Sequence, residues 1–308
     1  MIFNIVIKEN KDDKFSVQEN SKNKIHYISS YKDFTTSEQK YVSHSISSIL
    51  SQKKLSPSEN AIDFINLSLG IYVFDQLVSR ETYGYFNWSR YFKIYLPVYD
   101  LEKWKEAKTD IEHFLSFLSG DKWELNFRKR DYFYEEYNRE KNKIEKVSLL
   151  SGGLDSFIGA VDLLEYNTKN IAFVSHHKKG NSGDESVQKK IIKLLELEYP
   201  DSKIQSNYFF VQAKTDTVLK GEPSQRARSI IFIALGLAVA NSYSNDIPII
   251  VPENGLISLN IPLTKTRFGS HSTKTTHPFF IDQINKLFDH LDINNKSLVS
   301  KRIFFKPL

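Results

Sequence analysis

A six-residue segment near the middle of the chain has the residue types of an anion-binding turn. Ser151–Ser156 reads SGGLDS and lies between the apolar runs VSLL and FIGAVDLLEY. Its two glycines permit positive φ values and close approach of a ligand to the backbone. N–H groups at a helix start attract anions, and Ser151 and Ser156 add hydroxyl donors. Asp155 adds a negative charge, which a Mg²⁺ ion bridging it to phosphates would offset. The segment predicts a phosphate site with Asp155 as metal ligand, and a plain strand-to-helix turn with an N-cap is the alternative.

Strands and helices alternate regularly from Lys146 onward. The predicted strands read VSLL, NIAFVSHH, IQSNYFFVQA and IPIIVPENG, and the predicted helices between them read FIGAVDLLEY, ESVQKKIIKLLELEYP and SQRARSIIFIALGLAVANSYS. Alternation of this kind with continuously apolar strands predicts a parallel sheet covered on both faces, hence an α/β fold. Ligands of such sheets bind at the carboxyl ends of the strands, which is where SGGLDS lies.

The N-terminal part of the chain predicts a mixed α+β domain. It contains short runs of β-branched and aromatic residues, and a helix is expected over Ser37–Ser51. The segment from Tyr134 to Glu145 is polar and rich in charge, which is typical of a domain boundary. We therefore expect an N-terminal domain over residues 1–140 and a second domain over residues 141–308.

Composition excludes several classes of protein. The 308 residues include no cysteine, and no signal peptide can be drawn at the N-terminus. The longest apolar run, residues 229–240, is shorter than the ~18–20 residues of a membrane span. These features predict a cytoplasmic protein with no membrane partner. The net charge of +5 would attract a nucleic acid, and some of the 16 Tyr and 22 Phe residues could stack on its bases. Most of the aromatic residues fall at the spacing of core positions, however, so a nucleic-acid partner is not favoured.

SGGLDS resembles the PP-loop of the ATP pyrophosphatase superfamily, whose consensus is SGGxDS. The resemblance implies a Rossmann-like adenine nucleotide alpha hydrolase fold, with ATP and Mg²⁺ as cofactors. It also implies an enzyme that forms an adenylate and releases pyrophosphate. The residues implied for ATP binding are Ser151, Gly152, Gly153, Leu154, Asp155, Ser156, His176 and Arg228. A packed or solvated histidine is the alternative for His176.

Two further segments narrow the resemblance to 7-cyano-7-deazaguanine synthases. Gln225–Ser229 reads QRARS and opens the most apolar helix, where two arginines oppose the helix dipole and so predict a compensating anion. A surface pair capped by Glu222 or Asp216 is the alternative. The segment resembles, with substitutions, the Gly-Arg-Asn start of the equivalent helix in those synthases, and this favours Arg228 as a site residue.

The long polar segment from Pro252 to Pro278 follows the last predicted strand. Its position at a strand's carboxyl end favours a binding role over a solvated loop. We expect two of its residues to read a purine or amine edge and five to hold phosphates or an acidic substrate; these are Glu253 and Asn254, then Arg267, Ser270, Thr273, Lys274 and His277.

Together with WSRYFKIYLPV and SGDKWELNF, this segment resembles the QatC family, deazaguanine-synthase-like proteins of bacterial anti-phage defence islands. The resemblance implies a ligase that adenylates a 7-deazaguanine acid and passes the acyl group to an amine, with a protein partner from the same operon. Asp155, Arg228 and Lys274 would be its catalytic residues. A catalytically silent nucleotide-binding scaffold is the alternative.

The related synthases carry four C-terminal cysteines that hold zinc, and this chain has no cysteine. Zinc is therefore not expected, either because the site has been lost or because the chain is truncated.

Overall fold

The computed structural model describes residues 1–20, 22–30, 41–132, 144–166, 168–178, 182–214, 219–253, 274 and 276–299. The strands are β1 Ile2–Lys8, β2 Asn23–Ser29, β3 Val42–His44, β4 Tyr91–Val98, β5 Lys122–Lys129, β6 Lys146–Leu149, β7 Asn170–His177, β8 Lys203–Ala213, β9 Ile249–Val251 and β10 Ser297–Val299. The helices are α1 Ile46–Gln52, α2 Glu59–Leu77, α3 Arg80–Tyr83, α4 Leu101–Glu106, α5 Lys108–Ser119, α6 Leu154–Glu165, α7 Ser182–Glu198, α8 Arg228–Tyr243 and α9 Pro278–His290.

These elements form an α/β protein with two sheets. The first sheet has the strand order β2-β1-β4-β5 and is parallel throughout. The second has the order β10-β9-β6-β7-β8-β3, and β3 is the antiparallel strand at its edge. The predicted parallel sheet in the second half of the chain is thus confirmed, and its arrangement fits a Rossmann-like α/β fold.

Two buried helices lie between the sheets. Helix α2 contacts β1 and β4 of the first sheet and β8 of the second, and α8 packs against α2 as well as β6, β7 and β9. All residues of α2 from Ala61 to Leu77 are buried, as expected for a helix covered on every side. On the other face of the second sheet, α6 and α7 cover a smaller core that contains Phe173 and Ile192.

The N-terminal part of the chain shares its core with the C-terminal part. One continuous cluster contains Phe3 and Phe64 as well as Val147 and Phe280, and β3 completes the edge of the second sheet. In the first sheet the described strands are all parallel. Separate domains divided at residue 140 stay a prediction, since residues 133–143 lie outside the described part of the chain.

The helix predicted over Ser37–Ser51 is wrong for residues 42–45. Val42–His44 form β3, and the helix begins at Ile46. The backbone N–H of Ser45 donates to the carbonyl of Phe210, and the Ser45 hydroxyl accepts from the N–H of Phe210 at 2.9 Å. Pairing with a distant strand edge therefore overrides the local helical pattern.

Among the described residues, none of the helices combines the length and the apolar content that crossing a bilayer requires.

Candidate functional site

A cleft of about 240 Å³ opens at the carboxyl ends of β6 and β9. Its walls come from the ends of these two strands, the turn after β6, the start of α8 and the start of α9. The lining residues are Leu149, Ser151, Ser156, Gln225, Arg228, Ser229, Phe232, Ile233, Val251, Pro252, Glu253 and Thr276. Four of the predicted site residues, Ser151, Ser156, Arg228 and Glu253, are thus brought to one cleft from three separate parts of the sequence.

The SGGLDS turn is held by its own hydroxyl groups. Ser151 Oγ donates to Ser156 Oγ at 3.1 Å, and Ser156 Oγ donates to the carbonyl of Gly153 at 2.8 Å. The N–H of Gly152 in turn donates to Ser156 Oγ at 3.2 Å. Gly152 has φ +92°, a conformation that residues with a Cβ rarely adopt. The sequence prediction that this turn needs glycine is confirmed at that position.

Helix α6 begins directly at this turn. Its N-cap is Gly153, so no side chain caps the first N–H groups. These groups carry the positive end of the helix dipole, and they adjoin the two serines of the cleft. Asp155 lies half-buried in the first turn of α6 and outside the lining of the cleft. The arrangement suits an anion at the turn, with a carboxylate beside it.

Gln188 fixes the turn from behind and was not predicted. Its buried side-chain amide donates to the carbonyl of Ser151 and to that of His176, each at 3.2 Å. The side chain thereby joins the carboxyl ends of β6 and β7, and its Cγ lies 3.4 Å from where a Cβ of Gly152 would be. A glutamine in the middle of an amphipathic helix gives no sequence signal for this role.

The start of α8 forms the opposite wall. Arg228 is half-buried, and its guanidinium lies 5.4 Å from the ring centre of Phe232. The neighbouring Ser229 places its Oγ out of contact with solvent, and this oxygen has no hydrogen-bond partner among the described residues. A buried hydroxyl without a partner is costly, by about 1–3 kcal/mol, so a ligand oxygen or nitrogen at this wall would be favoured.

A buried ion network holds the start of α8 in place. Arg90 bonds Asp75 at 2.7 Å and Asp121 at 2.6 Å, and Arg80 bonds the same two carboxylates at 2.9 and 2.7 Å. Glu222 also pairs with Arg80. Burial alone would raise the pKa of Asp75, but Arg90 and Arg80 hold it below its ordinary value.

This network, which we call the arginine network, reaches the cleft through one bond. The second oxygen of Asp75 accepts the N–H of Ala227 at 3.1 Å, directly before Arg228. Glu222, the residue considered as a cap for the two arginines of this helix start, is paired instead with Arg80. The network cannot be recognised from local sequence patterns, because the residues that it joins are separated by up to about 150 positions.

His176 lies in the core behind the cleft. Its ring packs edge-on against Tyr72 and Phe232, with centres 5.3 and 5.2 Å apart, and Nε2 is 3.3 Å from the carbonyl of Val211. Burial, reinforced by Arg228, lowers its pKa to about 3. The imidazole is therefore neutral at physiological pH. It does not line the cleft, and its predicted contact with ATP stays a prediction.

Lys274 and His277 pack on α5 rather than along the cleft lining. The Lys274 ammonium lies 4.1 Å from the ring centre of Phe117, and the His277 ring is 5.1 Å from the same centre. His277 caps α9, since its Nδ1 accepts the N–H of Phe279 at 3.1 Å. Burial and Arg226 lower the pKa of Lys274, and burial and Lys274 lower that of His277. The predicted catalytic role of Lys274 and substrate role of His277 stay predictions.

The remaining predicted substrate residues are Asn254, Arg267, Ser270 and Thr273, which lie outside the described residues. No group of three or more metal-ligating side chains occurs in the described part of the chain. Asp155 alone fits a Mg²⁺ ion bound mainly by phosphate oxygens and water, because such ions need one or two carboxylates from the protein.

No protein-family model matches this chain, and no curated protein matches it. Among solved structures, a crystal structure of a ketoreductase domain from the bacillaene assembly line is similar over 94% of this chain and 76% of that one, at 7% identity and a TM-score of 0.30.

Proposed function

We propose that the chain is an ATP-dependent, QatC-like enzyme of the PP-loop class that adenylates a carboxylate and transfers the acyl group to an amine. The observation that carries this proposal is the convergence of the SGGLDS turn and Arg228 on one cleft. A glycine turn with positive φ, an uncapped helix start and a guanidinium are suited to a polyphosphate.

The reaction would proceed in two balanced steps. A carboxylate oxygen of the substrate attacks the α-phosphorus of ATP, and the bond from that phosphorus to the bridging oxygen of pyrophosphate breaks. An amine then attacks the acyl carbon, AMP leaves with the bond electrons, and the amine releases a proton. The first step needs no general base, because a carboxylate is already ionised at neutral pH.

The described residues would act mainly by positioning and charge. The N–H groups at the start of α6 and the hydroxyls of Ser151 and Ser156 would hold phosphate oxygens. Arg228 would neutralise charge that develops at the α-phosphate, and Asp155 would hold Mg²⁺, which supplies charge neutralisation when bound. The apolar wall containing Phe232 and Val251 suits a planar ring. By the QatC resemblance, the acid would be a 7-deazaguanine, and the amine would be ammonia or a group of a protein partner.

The test is pyrophosphate release from ATP and Mg²⁺, with and without 7-carboxy-7-deazaguanine. We expect release that depends on the acid. Asp155→Ala should reduce it at least ~100-fold, the scale of losing one well-placed electrostatic group. Asp162→Ala, about two helical turns further along α6, is the matched control and should keep full activity.

The second candidate is a nucleotide-binding scaffold, favoured by the position of Asp155 outside the lining of the cleft. In that case calorimetry would detect ATP binding while no pyrophosphate appears with any acid. Absence of both binding and turnover in the folded protein would reject both candidates.

A further inference from the structure

A short turn between α3 and β4 carries three exposed aromatic side chains. Gly84–Ser89, which we call the aromatic turn, reads GYFNWS. Tyr85 is 75% exposed, Phe86 84% and Trp88 42%. Large rings exposed together are uncommon on a protein surface and mark interaction sites more often than isolated apolar residues do.

The backbone of the aromatic turn is closed and conformationally demanding. The N–H of Tyr85 donates to the carbonyl of Ser89 at 2.7 Å, and that of Trp88 donates to Tyr85 at 3.1 Å. Phe86 and Asn87 have φ +49° and +57°. The left-handed region is unfavourable for a bulky residue such as Phe, and such strain concentrates at functional sites. The turn thus holds its rings outward despite a local cost.

The arginine network anchors both ends of the turn. Arg80 begins the helix that precedes it and Arg90 follows it, and both guanidinium groups bond Asp75 and Asp121. The turn is therefore a tight loop on a fixed base, which lowers the entropy lost when a ligand orders the rings.

One cation lies against a ring of the aromatic turn, and a second lies on the neighbouring helix α5. The Arg226 guanidinium is 4.7 Å from the ring centre of Trp88 and donates to the carbonyl of Ser119 at 2.9 Å. The Lys274 ammonium lies 4.1 Å from the ring centre of Phe117, two residues before Ser119 on α5. Burial and then the charge of Arg226 lower the pKa of Lys274. Cations interleaved with aromatic rings at a surface form the pattern that binds phosphates and bases together.

We propose that the aromatic turn, with Arg226 and Lys274, is a binding site for single-stranded nucleic acid. Bases would stack on Phe86 and Trp88, and the two cations would pair with backbone phosphates. The net charge of +5 favours such a polyanion. An acidic peptide is less well served, because peptide recognition ordinarily uses a sheet edge or a groove for the peptide backbone, and a tight turn offers neither. The site does not depend on the proposed reaction in the cleft.

The test is fluorescence anisotropy of labelled 12-nucleotide oligo-dT and oligo-U strands at 50 and 200 mM salt. Comparing the affinities for the two strands shows whether DNA or RNA is preferred. The tryptophan signal adds a local readout. Trp104 and Trp123 are buried and Trp88 is exposed, so stacking should quench mainly Trp88. We expect binding that weakens with salt and quenches this emission.

Matched variants separate stacking from charge. Phe86→Ala and Trp88→Ala should each weaken binding by roughly 5- to 160-fold, since one base stack is worth about 1–3 kcal/mol. Lys274→Met should reduce the salt slope by about 1 for one lost phosphate contact. Tyr166→Ala, which removes an exposed ring at the far end of α6, should leave binding unchanged.

Three results would overturn the proposal: no binding by the folded protein at 50 mM salt, equal binding by Phe86→Ala, or full competition by poly-L-glutamate at matched charge. The last result would indicate attraction of any polyanion, an acidic protein included, without base stacking.

Discussion

Helices α6 and α8 both begin at the same cleft, but their starts are fixed in different ways. The start of α8 is held by the arginine network, a set of buried charges bonded to one another, through the contact from Asp75 to Ala227. The start of α6 is held by two serine hydroxyls and by Gln188 behind the turn. The start of α8 therefore forms a rigid wall, whereas the start of α6 keeps its N–H groups available to a ligand.

The largest expected effect comes from breaking the rigid wall. Arg90→Met leaves Asp75 and Asp121 buried with one partner fewer, and removing one member of a buried ion pair costs about 3–5 kcal/mol. Urea unfolding should show a loss of that size in the free energy of unfolding. Lys105→Met breaks the exposed pair with Glu102 and should cost less than ~1 kcal/mol. A loss below about 1 kcal/mol for Arg90→Met would mean that the network does not hold the wall.

The next effect concerns the contact between α6 and the residue after β9. A Cβ on Gly159 would lie 2.6 Å from the Cβ of Pro252, which lines the cleft. Gly159→Ala should therefore cost about 1–3 kcal/mol by overpacking, despite the better helix propensity of alanine.

Gly70→Ala in α2 is the matched control for this substitution. A Cβ there would meet the flexible end of Ile7 at 3.3 Å, so its effect should stay within about 1 kcal/mol, near the propensity difference between alanine and glycine. Equal effects of the two substitutions in thermal or urea unfolding would show that the approach of Pro252 to α6 is not tight.

The two walls also differ in how far sequence reasoning could reach them. The α6 wall was predictable, because a buried strand, two glycines and a helix pattern follow one another within a few residues and each is a local signal. The α8 wall was predicted only at Arg228. Nothing in the local sequence distinguishes Asp75, Arg90 and Asp121 from ordinary helix and turn residues. Their pairing arises only when the two sheets enclose α2. The short strand β3 was missed for the same reason, since its partner lies about 170 residues away.

A smaller effect is expected at the hydroxyl that organises the α6 wall. Ser156→Ala removes the oxygen that accepts from Gly152 and donates to Gly153. We expect calorimetry to show ATP binding about 5- to 30-fold weaker, which corresponds to about 1–2 kcal/mol and to the loss of one or two hydrogen bonds. Ser186→Ala, an exposed position on α7, should bind ATP as the wild type does. Unchanged binding by Ser156→Ala would argue against the turn as the phosphate site.

The last effect is a pH dependence that arises in the core behind the cleft, at His176. Its pKa is lowered to about 3 in the folded protein, chiefly by burial and then by Arg228, whereas an unfolded chain has an ordinary value of about 6.5. Below pH ~6.5 the unfolded state therefore binds the extra proton, and the free energy of unfolding falls as pH decreases. Between pH 7.5 and 5.5 the expected loss is about 1.4 kcal/mol from this residue alone. His177, whose pKa is also lowered by burial, adds to the pH dependence of the wild-type free energy of unfolding.

His176→Phe keeps a ring against Tyr72 and Phe232 and should remove the contribution of His176 to this pH dependence. Urea unfolding at the two pH values should therefore show a smaller difference in the variant. The same slope in both proteins would mean that His176 accepts a proton in the folded state, and that the core behind the cleft is less dry than its packing indicates.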